Sequence, residues 1–155
     1  MELHANRELI ELLGDVAMFR ELGEEERGEI AARMEQKNYD SGKEIFREGD
    51  PGGEMLLITD GSVEVQKSRS HGAGSIVIAR FERGGIIGEM SLFDGMPRSA
   101  TVITVKPTKV YILSEEGLNE LIASNPELAI RLLKGVAMLL SLRLRNTSGW
   151  FADVF

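Results

Sequence analysis

Between residues 39 and 113 the chain is interrupted so often that no long element fits. Turn signals stand at Asp40-Ser41-Gly42-Lys43, Glu48-Gly49-Asp50-Pro51-Gly52-Gly53, Asp60-Gly61, Ser68 to Gly74, Glu82-Arg83-Gly84-Gly85 and Pro107. They are built from the residues that tight turns require. Apart from Ile86 to Lys106, the pieces left between them are of strand length. Glu44 to Arg47, Met55 to Thr59, Ser62 to Lys67, Ser75 to Phe81, Ser99 to Val105 and Lys109 to Leu113 read as strands. Val63 and Val65 share one face, and Ile76, Ile78 and Arg80 oppose Val77, Ala79 and Phe81, the alternation of a pleated strand. Asp60-Gly61 carries the signature of a tight hairpin. With the strand that leads into Gly88, about seven or eight short strands with Gly-rich turns define a mainly β fold: a closed antiparallel β-roll, or double-stranded jelly-roll.

Helical periodicity brackets this region. Residues 6–20 place Leu9, Leu12, Leu13, Val16 and Phe19 on one face, with Gly14 as a weak point. Glu24-Glu25-Glu26-Arg27 opens a second helix running to about Met34, with Ile30 and Met34 as core contacts; its acids suit a helix start. Ser114 caps a helix that reaches Ala123, and Asn125-Pro126 starts a long last one extending to about Asn146. The organisation is therefore N-terminal helices over 1–38, a β-roll over 39–113, C-terminal helices over 114–147 and an aromatic tail over 148–155. In the last helix Ile130, Leu133, Ala137, Leu140 and Leu144 follow a 3-4-3-4 spacing, while Leu132, Val136, Met138 and Leu139 make other sides apolar too. One face covers the β-roll; the other calls for a partner, and a second copy of the chain is the simplest. Trp150, Phe151 and Phe155 in the tail either fold back over the core or dock on a partner.

The most specific stretch is Ile87 to Val102. A strand ends at Gly88, one helical turn follows, Gly95-Met96-Pro97 bends the chain, and a strand resumes at Ser99. Gly88 permits close backbone approach or a conformation closed to other residues. The turn after it directs free N–H groups, those of Met90 and Ser91 among them, at one point suited to an anion. Arg98 returns a permanent positive charge from beyond the bend, and Glu89 sets an acceptor beside it. An anion carrying a hydroxyl, such as a sugar phosphate, satisfies both.

In its order Gly88-Glu89, Leu92, Gly95, Pro97-Arg98, Ala100-Thr101 and Val102, the stretch resembles the phosphate-binding cassette of the cyclic nucleotide-binding domain family. That family includes the bacterial catabolite activator and the regulatory subunits of protein kinase A. The departures are Ile87 for an aromatic residue and Ser91 for alanine. The glycines at 42, 49 and 61 also fall where the family places turns, so the resemblance runs from about Val16 to Arg145. It implies a jelly-roll with flanking helices that binds cAMP, or secondarily cGMP. The ligand would be held by Gly88, Glu89, Met90, Ser91, Arg98, Ser99 and Ala100. The positions that contact the base in the catabolite activator's last helix match Arg143 and Leu144, which cannot repeat that hydrogen bonding. Arg143 either stacks on or bonds the purine, or remains a solvated cap near the helix end. The competing class is a protein–protein interaction module that keeps the fold without the ligand.

The remaining features narrow the function. A net charge of −7 excludes a general nucleic-acid or anionic-membrane binder, though not one small anion held by a local Arg. The chain has no cysteine, and His4 and His71 stand apart from each other and from paired carboxylates. No metal or haem site, catalytic triad or other enzyme active site is expected from such a set. The acidic N-terminus lacks the apolar run of a signal peptide, and Arg131, Lys134 and Arg143 interrupt the greasiest helix, so the expected location is the cytoplasm. Thr147 to Phe155 are too few for a helix-turn-helix, so DNA binding by this chain is not expected. The expectation is a sensor or regulatory module that signals through its last helix to a downstream partner.

Overall fold

The computed structural model describes the backbone of residues 2–154 and the side chains of residues 6–147. Helix α1 (Glu2–Asp15) ends beside Gly14, and a 3₁₀ turn (Ala17–Phe19) and helix α2 (Glu24–Ala31) follow. The first periodic stretch is thus broken near its glycine. At the start of α2 the Glu26 carboxylate accepts the Gly23 N–H at 3.1 Å, which satisfies one orphan donor of the first turn. The helix stops short of Met34, where a strand begins instead.

That strand, β1 (Met34–Tyr39), is followed by β2 (Glu44–Phe46), β3 (Glu54–Asp60), β4 (Ser62–Ser68), β5 (Ser75–Glu82) and β6 (Ile86–Ile87). A short helix α3 (Glu89–Asp94), β7 (Thr101–Thr104), β8 (Thr108–Ser114), α4 (Glu115–Ser124) and α5 (Pro126–Val154) complete the chain. Two antiparallel sheets form, ordered β1-β8-β3-β6 and β2-β7-β4-β5. This is the expected β-roll with N-terminal helices and a long C-terminal helix. The four middle residues of β1 are exposed and the strand lacks apolar alternation; it forms because β8 pairs with it from Met34↔Leu113 to Tyr39↔Thr108.

Asp60-Gly61 proves to be a corner and not a hairpin. β3 pairs with β8 and β6, whereas β4 pairs with β5 and β7, so the chain changes sheets at Gly61. Gly61 has φ +101, and a side chain there would come within 2.6 Å of the Pro107 carbonyl oxygen. The hairpin is β4–β5, closed between Ser68 and Ser75.

β3 is buried on both sides. Met55 and Leu57 face a core shared with Leu13, Phe19, Ile30, Leu121, Leu128 and Leu132, while Leu56 and Ile58 face Val63, Ile87, Val102 and Val110 between the sheets. Helix α4 begins as the sequence suggests, with Ser114 Oγ accepting the Gly117 N–H at 3.1 Å, and Asn125 Oδ1 accepts the Leu128 N–H at 3.2 Å where α5 starts. Leu128, Ala129, Leu132 and Val136 bury the first half of α5, whereas Ile130, Leu133, Met138, Leu142 and Leu144 are exposed. The helix continues to Val154, beyond the end expected near Asn146, so the backbone of the tail does not turn back. The side chains of Trp150 and Phe151, and all of Phe155, lie outside the described residues. Among the described residues no helix is long and apolar enough to cross a membrane.

Candidate functional site

The site is built where β6 leaves its sheet. Pairing of Ile86 and Ile87 with Leu57 and Leu56 carries the chain to Gly88, which takes a left-handed conformation at φ +78. A Cβ there would lie 2.6 Å from an Arg98 guanidinium nitrogen and 2.8 Å from the Glu54 carbonyl oxygen, so the position needs glycine for conformation and for space alike. α3 starts at the next residue with no side chain capping it, leaving its first N–H groups to other acceptors. Glu89, Ser91 and Leu92 are buried and Met90 is exposed. Ser91 packs beneath Gly52, where a Cβ would lie 2.1 Å from the serine Cβ. Gly95, at φ +67, closes α3 through an N–H bond to the Ser91 carbonyl, and the Asp94 carboxylate accepts the Met96 N–H at 2.9 Å.

The bend returns Arg98 into the protein. Its N–H donates to the Asp50 carbonyl at 2.8 Å and its carbonyl accepts the Gly49 N–H at 2.9 Å, which fixes the cassette to the Glu48–Gly49–Asp50 turn. The side chain is only 6% exposed. One guanidinium nitrogen donates to the Glu54 carbonyl at 2.8 Å and the Gly88 carbonyl at 3.3 Å, and the group lies 4.0 Å over the Phe46 ring. Its Nε has no partner, and among the described residues it forms no ion pair. Burial lowers the Arg98 pKa, an effect that the nearby Glu54 and Asp50 charges oppose. Arg98 is thus a buried group and not a surface one.

Glu89 is 4% exposed and is held from a distant part of the chain. Arg143 on α5 donates to Glu89 Oε1 with one nitrogen and to the Ile86 carbonyl with the other, the latter at 2.7 Å. Its guanidinium lies 5.3 Å from the Phe81 ring centre. Arg143 is therefore not a solvated cap. It lines a cavity of about 630 Å³ with Leu12, Val16, Phe81, Arg83, Ile86 and Leu139. Arg98 lines a separate one of about 290 Å³ with Tyr39, Phe46, Asp50 and Glu54. The two arginines thus border different spaces, and no bond joins Arg98 to Glu89.

The other expected residues divide. Ala100 is buried, and Ser99 is exposed with its carbonyl accepting a bond from Lys67. Sequence reasoning did not single out Phe46 and Phe81, the aromatic faces beneath the two arginines. Each sits in a stretch read as a strand, and which aromatic face meets a cation is decided only when the sheets close. Glu48 braces the site from outside: its N–H donates to Thr101 Oγ1 at 2.9 Å, and its carboxylate accepts the Ser68 N–H at 3.0 Å and pairs with Lys67 at 3.1 Å.

A β-roll with this glycine-started helical turn, a buried arginine beyond it and a long helix laid against it defines a ligand-binding jelly-roll. Residues 36–125 match the family model described as the cyclic nucleotide-binding domain, and the chain belongs to that family. It is 30% identical over 129 residues to a cAMP-dependent protein kinase regulatory subunit of Mycosarcoma maydis, covering 79% of this chain and 24% of that protein. The chain therefore spans about a quarter of that relative's length. A cyclic nucleotide-binding domain from Methylobacillus flagellatus has a similar structure, with a TM-score of 0.87 at 32% identity over 98% of this chain and 85% of that one. The regulatory domain of Toxoplasma gondii protein kinase A in complex with cAMP gives a TM-score of 0.71 at 25% identity, covering 86% of this chain and 50% of that one.

Proposed function

We propose that this chain binds a cyclic nucleotide, cAMP in the first place and cGMP in the second, and works as a sensor module and not as an enzyme. The observation that carries the reading is Arg98: a buried guanidinium that, among the described residues, has an unpartnered Nε and no ion pair, packed on the glycine that opens the cassette. Burying such a charge is costly unless an anion completes it. Arg98 takes the cyclic phosphate, together with the Met90 and Ser91 N–H groups and the Ser99–Ala100 edge. Glu89 accepts from the ribose 2′-hydroxyl. The kinship with the cAMP-bound regulatory domain supports this assignment.

The signal leaves through α5 to a downstream protein. The exposed apolar side of that helix, with Ile130 at 64% and Leu144 at 68% exposure, supports pairing with a second copy over residues 126–146. Thermal melts with millimolar cAMP, cGMP and AMP test the reading. A cyclic nucleotide at a hundred times its dissociation constant adds about 2.7 kcal/mol of stability and raises Tm. No shift with either cyclic nucleotide would leave the interaction module as the better reading.

A further inference from the structure

Two successive backbone oxygens after the Gly95-Met96-Pro97 bend are taken by the protein. The Arg98 carbonyl accepts the Gly49 N–H at 2.9 Å, and the Ser99 carbonyl accepts a bond from Lys67 Nζ at 2.5 Å. Both peptide units are trans, so each turns its N–H away from its oxygen. The N–H groups of Ser99 and Ala100 therefore face away from Gly49 and Lys67. Among the described residues neither meets an acceptor, although Ala100 is only 7% exposed. Lys67 is itself held. Its Nζ lies 3.1 Å from one Glu48 carboxylate oxygen, while the other accepts the N–H and the hydroxyl of Ser68 at 3.0 and 2.9 Å. One carboxylate thus fixes the cation that fixes the Ser99 oxygen.

We infer that Lys67 is a positioning residue for the anion end of the site: by clamping the Ser99 oxygen it aims the Ala100 N–H at the ligand, and Glu48 holds Lys67 in place to do so. The inference rests on the cyclic nucleotide reading for the identity of the anion, and not for the clamp. An unpaired N–H on a little-exposed residue, two positions beyond a buried guanidinium, is a donor that an anion completes. Lys67 stands on the oxygen side of the Ser99–Ala100 peptide, opposite the N–H, so it acts through the backbone and not by touching the ligand. A cation on the carbonyl also polarises the peptide and makes its N–H a stronger donor. Lys67 is half-exposed, so its replacement leaves the core untouched.

Amide NMR without nucleotide tests the clamp. Lys67→Met should move the Ala100 amide resonance, and Lys67→Arg should move it less. Glu48→Gln should move it in the same direction as Lys67→Met. An Ala100 resonance that stays in place in Lys67→Met would overturn the inference whether or not a nucleotide binds.

Calorimetric titration with cAMP tests the consequence. Lys67→Met should weaken binding about tenfold, as loss of a charge-assisted bond would, and Lys67→Arg should recover most of it. Binding equal to wild type would overturn the inference. The loss should persist in about 1 M salt, where charges are screened beyond about 3 Å. A loss seen only in dilute salt would show plain attraction between Lys67 and the anion, and would also overturn it. The two phosphorothioate isomers of cAMP each replace one exocyclic oxygen by sulfur, a weak acceptor. The Lys67→Met penalty should shrink for the isomer whose sulfur meets the Ala100 N–H; equal penalties for both would mean that Lys67 does not act through that donor. A wild-type chain that binds neither cAMP nor cGMP would sink the functional reading, and the Ala100 resonance would then decide the clamp by itself.

Discussion

Gly135 of α5 sits directly on the carbonyl of Met18: a Cβ at position 135 would lie 2.1 Å from that oxygen. The long helix therefore crosses the Ala17–Phe19 turn backbone to backbone, at the point where its buried half gives way to its exposed half. Gly135→Val should force the two apart and destabilise the fold by about 1–3 kcal/mol, as overpacking does. Urea denaturation checks this. A midpoint unchanged from wild type would show that the crossing yields without cost.

Arg98 and Glu89 have separable roles in the proposed site. Arg98→Ala should weaken cAMP binding by about 2–5 kcal/mol, or roughly 30- to several-thousand-fold. The loss should be equal for 2′-deoxy-cAMP, since the phosphate is the same. Glu89→Gln should cost less, about 1–3 kcal/mol, and the cost should shrink for the 2′-deoxy ligand. Because Arg98 is buried, circular dichroism and Arg98→Lys serve as controls for folding. Calorimetry with both ligands forms the cycle. Tight binding by a folded Arg98→Ala variant, or a Glu89→Gln loss that ignores the 2′-hydroxyl, would show that the roles are wrongly assigned.

What could be read without coordinates was whatever is decided locally. Gly88 and Gly95 carry positive φ angles that glycine favours, and Ser114 and Asn125 cap helices through bonds to residues three positions on. Non-local choices could not be read. Asp60-Gly61 has the residues of a hairpin, yet becomes a corner because β8 captures β3 while β7 and β5 capture β4. β1 has no apolar pattern of its own and borrows its order from β8. Within the site, the cassette residues are neighbours in sequence, but the bond between Arg143 and Glu89 spans 54 positions. Nothing local distinguishes that arginine from one that faces solvent.

Glu48 gives the protein an acid-sensitive brace. Its carboxyl pKa is held below its ordinary value of 4.5, first by the Ser68 N–H, then by the Ser68 hydroxyl and by Lys67. A carboxylate with a lowered folded pKa stabilises the fold above its ordinary value, and that contribution is lost as pH falls through the lowered one. Wild type should therefore lose stability more steeply than Glu48→Gln as pH drops below 4.5. The two should differ most, in favour of wild type, at neutral pH. Thermal melts across pH 3–7 would reveal this; parallel curves would mean that the Ser68 and Lys67 contacts add nothing to stability.

The proposed pairing through α5 makes the sharpest demand on particular residues. Leu140 lies in the 3-4-3-4 seam but is half buried and packed against the core, so a charge there would damage the fold as well as any dimer. Ile130 and Leu144 lie in the same seam and are exposed, so they separate the two effects. In a dimer each would be covered by the second copy, and a glutamate at either position would bury an unpaired carboxylate from both chains. In a monomer the same substitutions fall on the surface and should change stability by no more than about 0.5 kcal/mol. Sedimentation at tens of micromolar should thus find wild type dimeric and Leu144→Glu and Ile130→Glu monomeric, with melts in dilute solution that match. A monomeric wild type, or two glutamate variants that both remain dimeric, would remove α5 as the pairing surface.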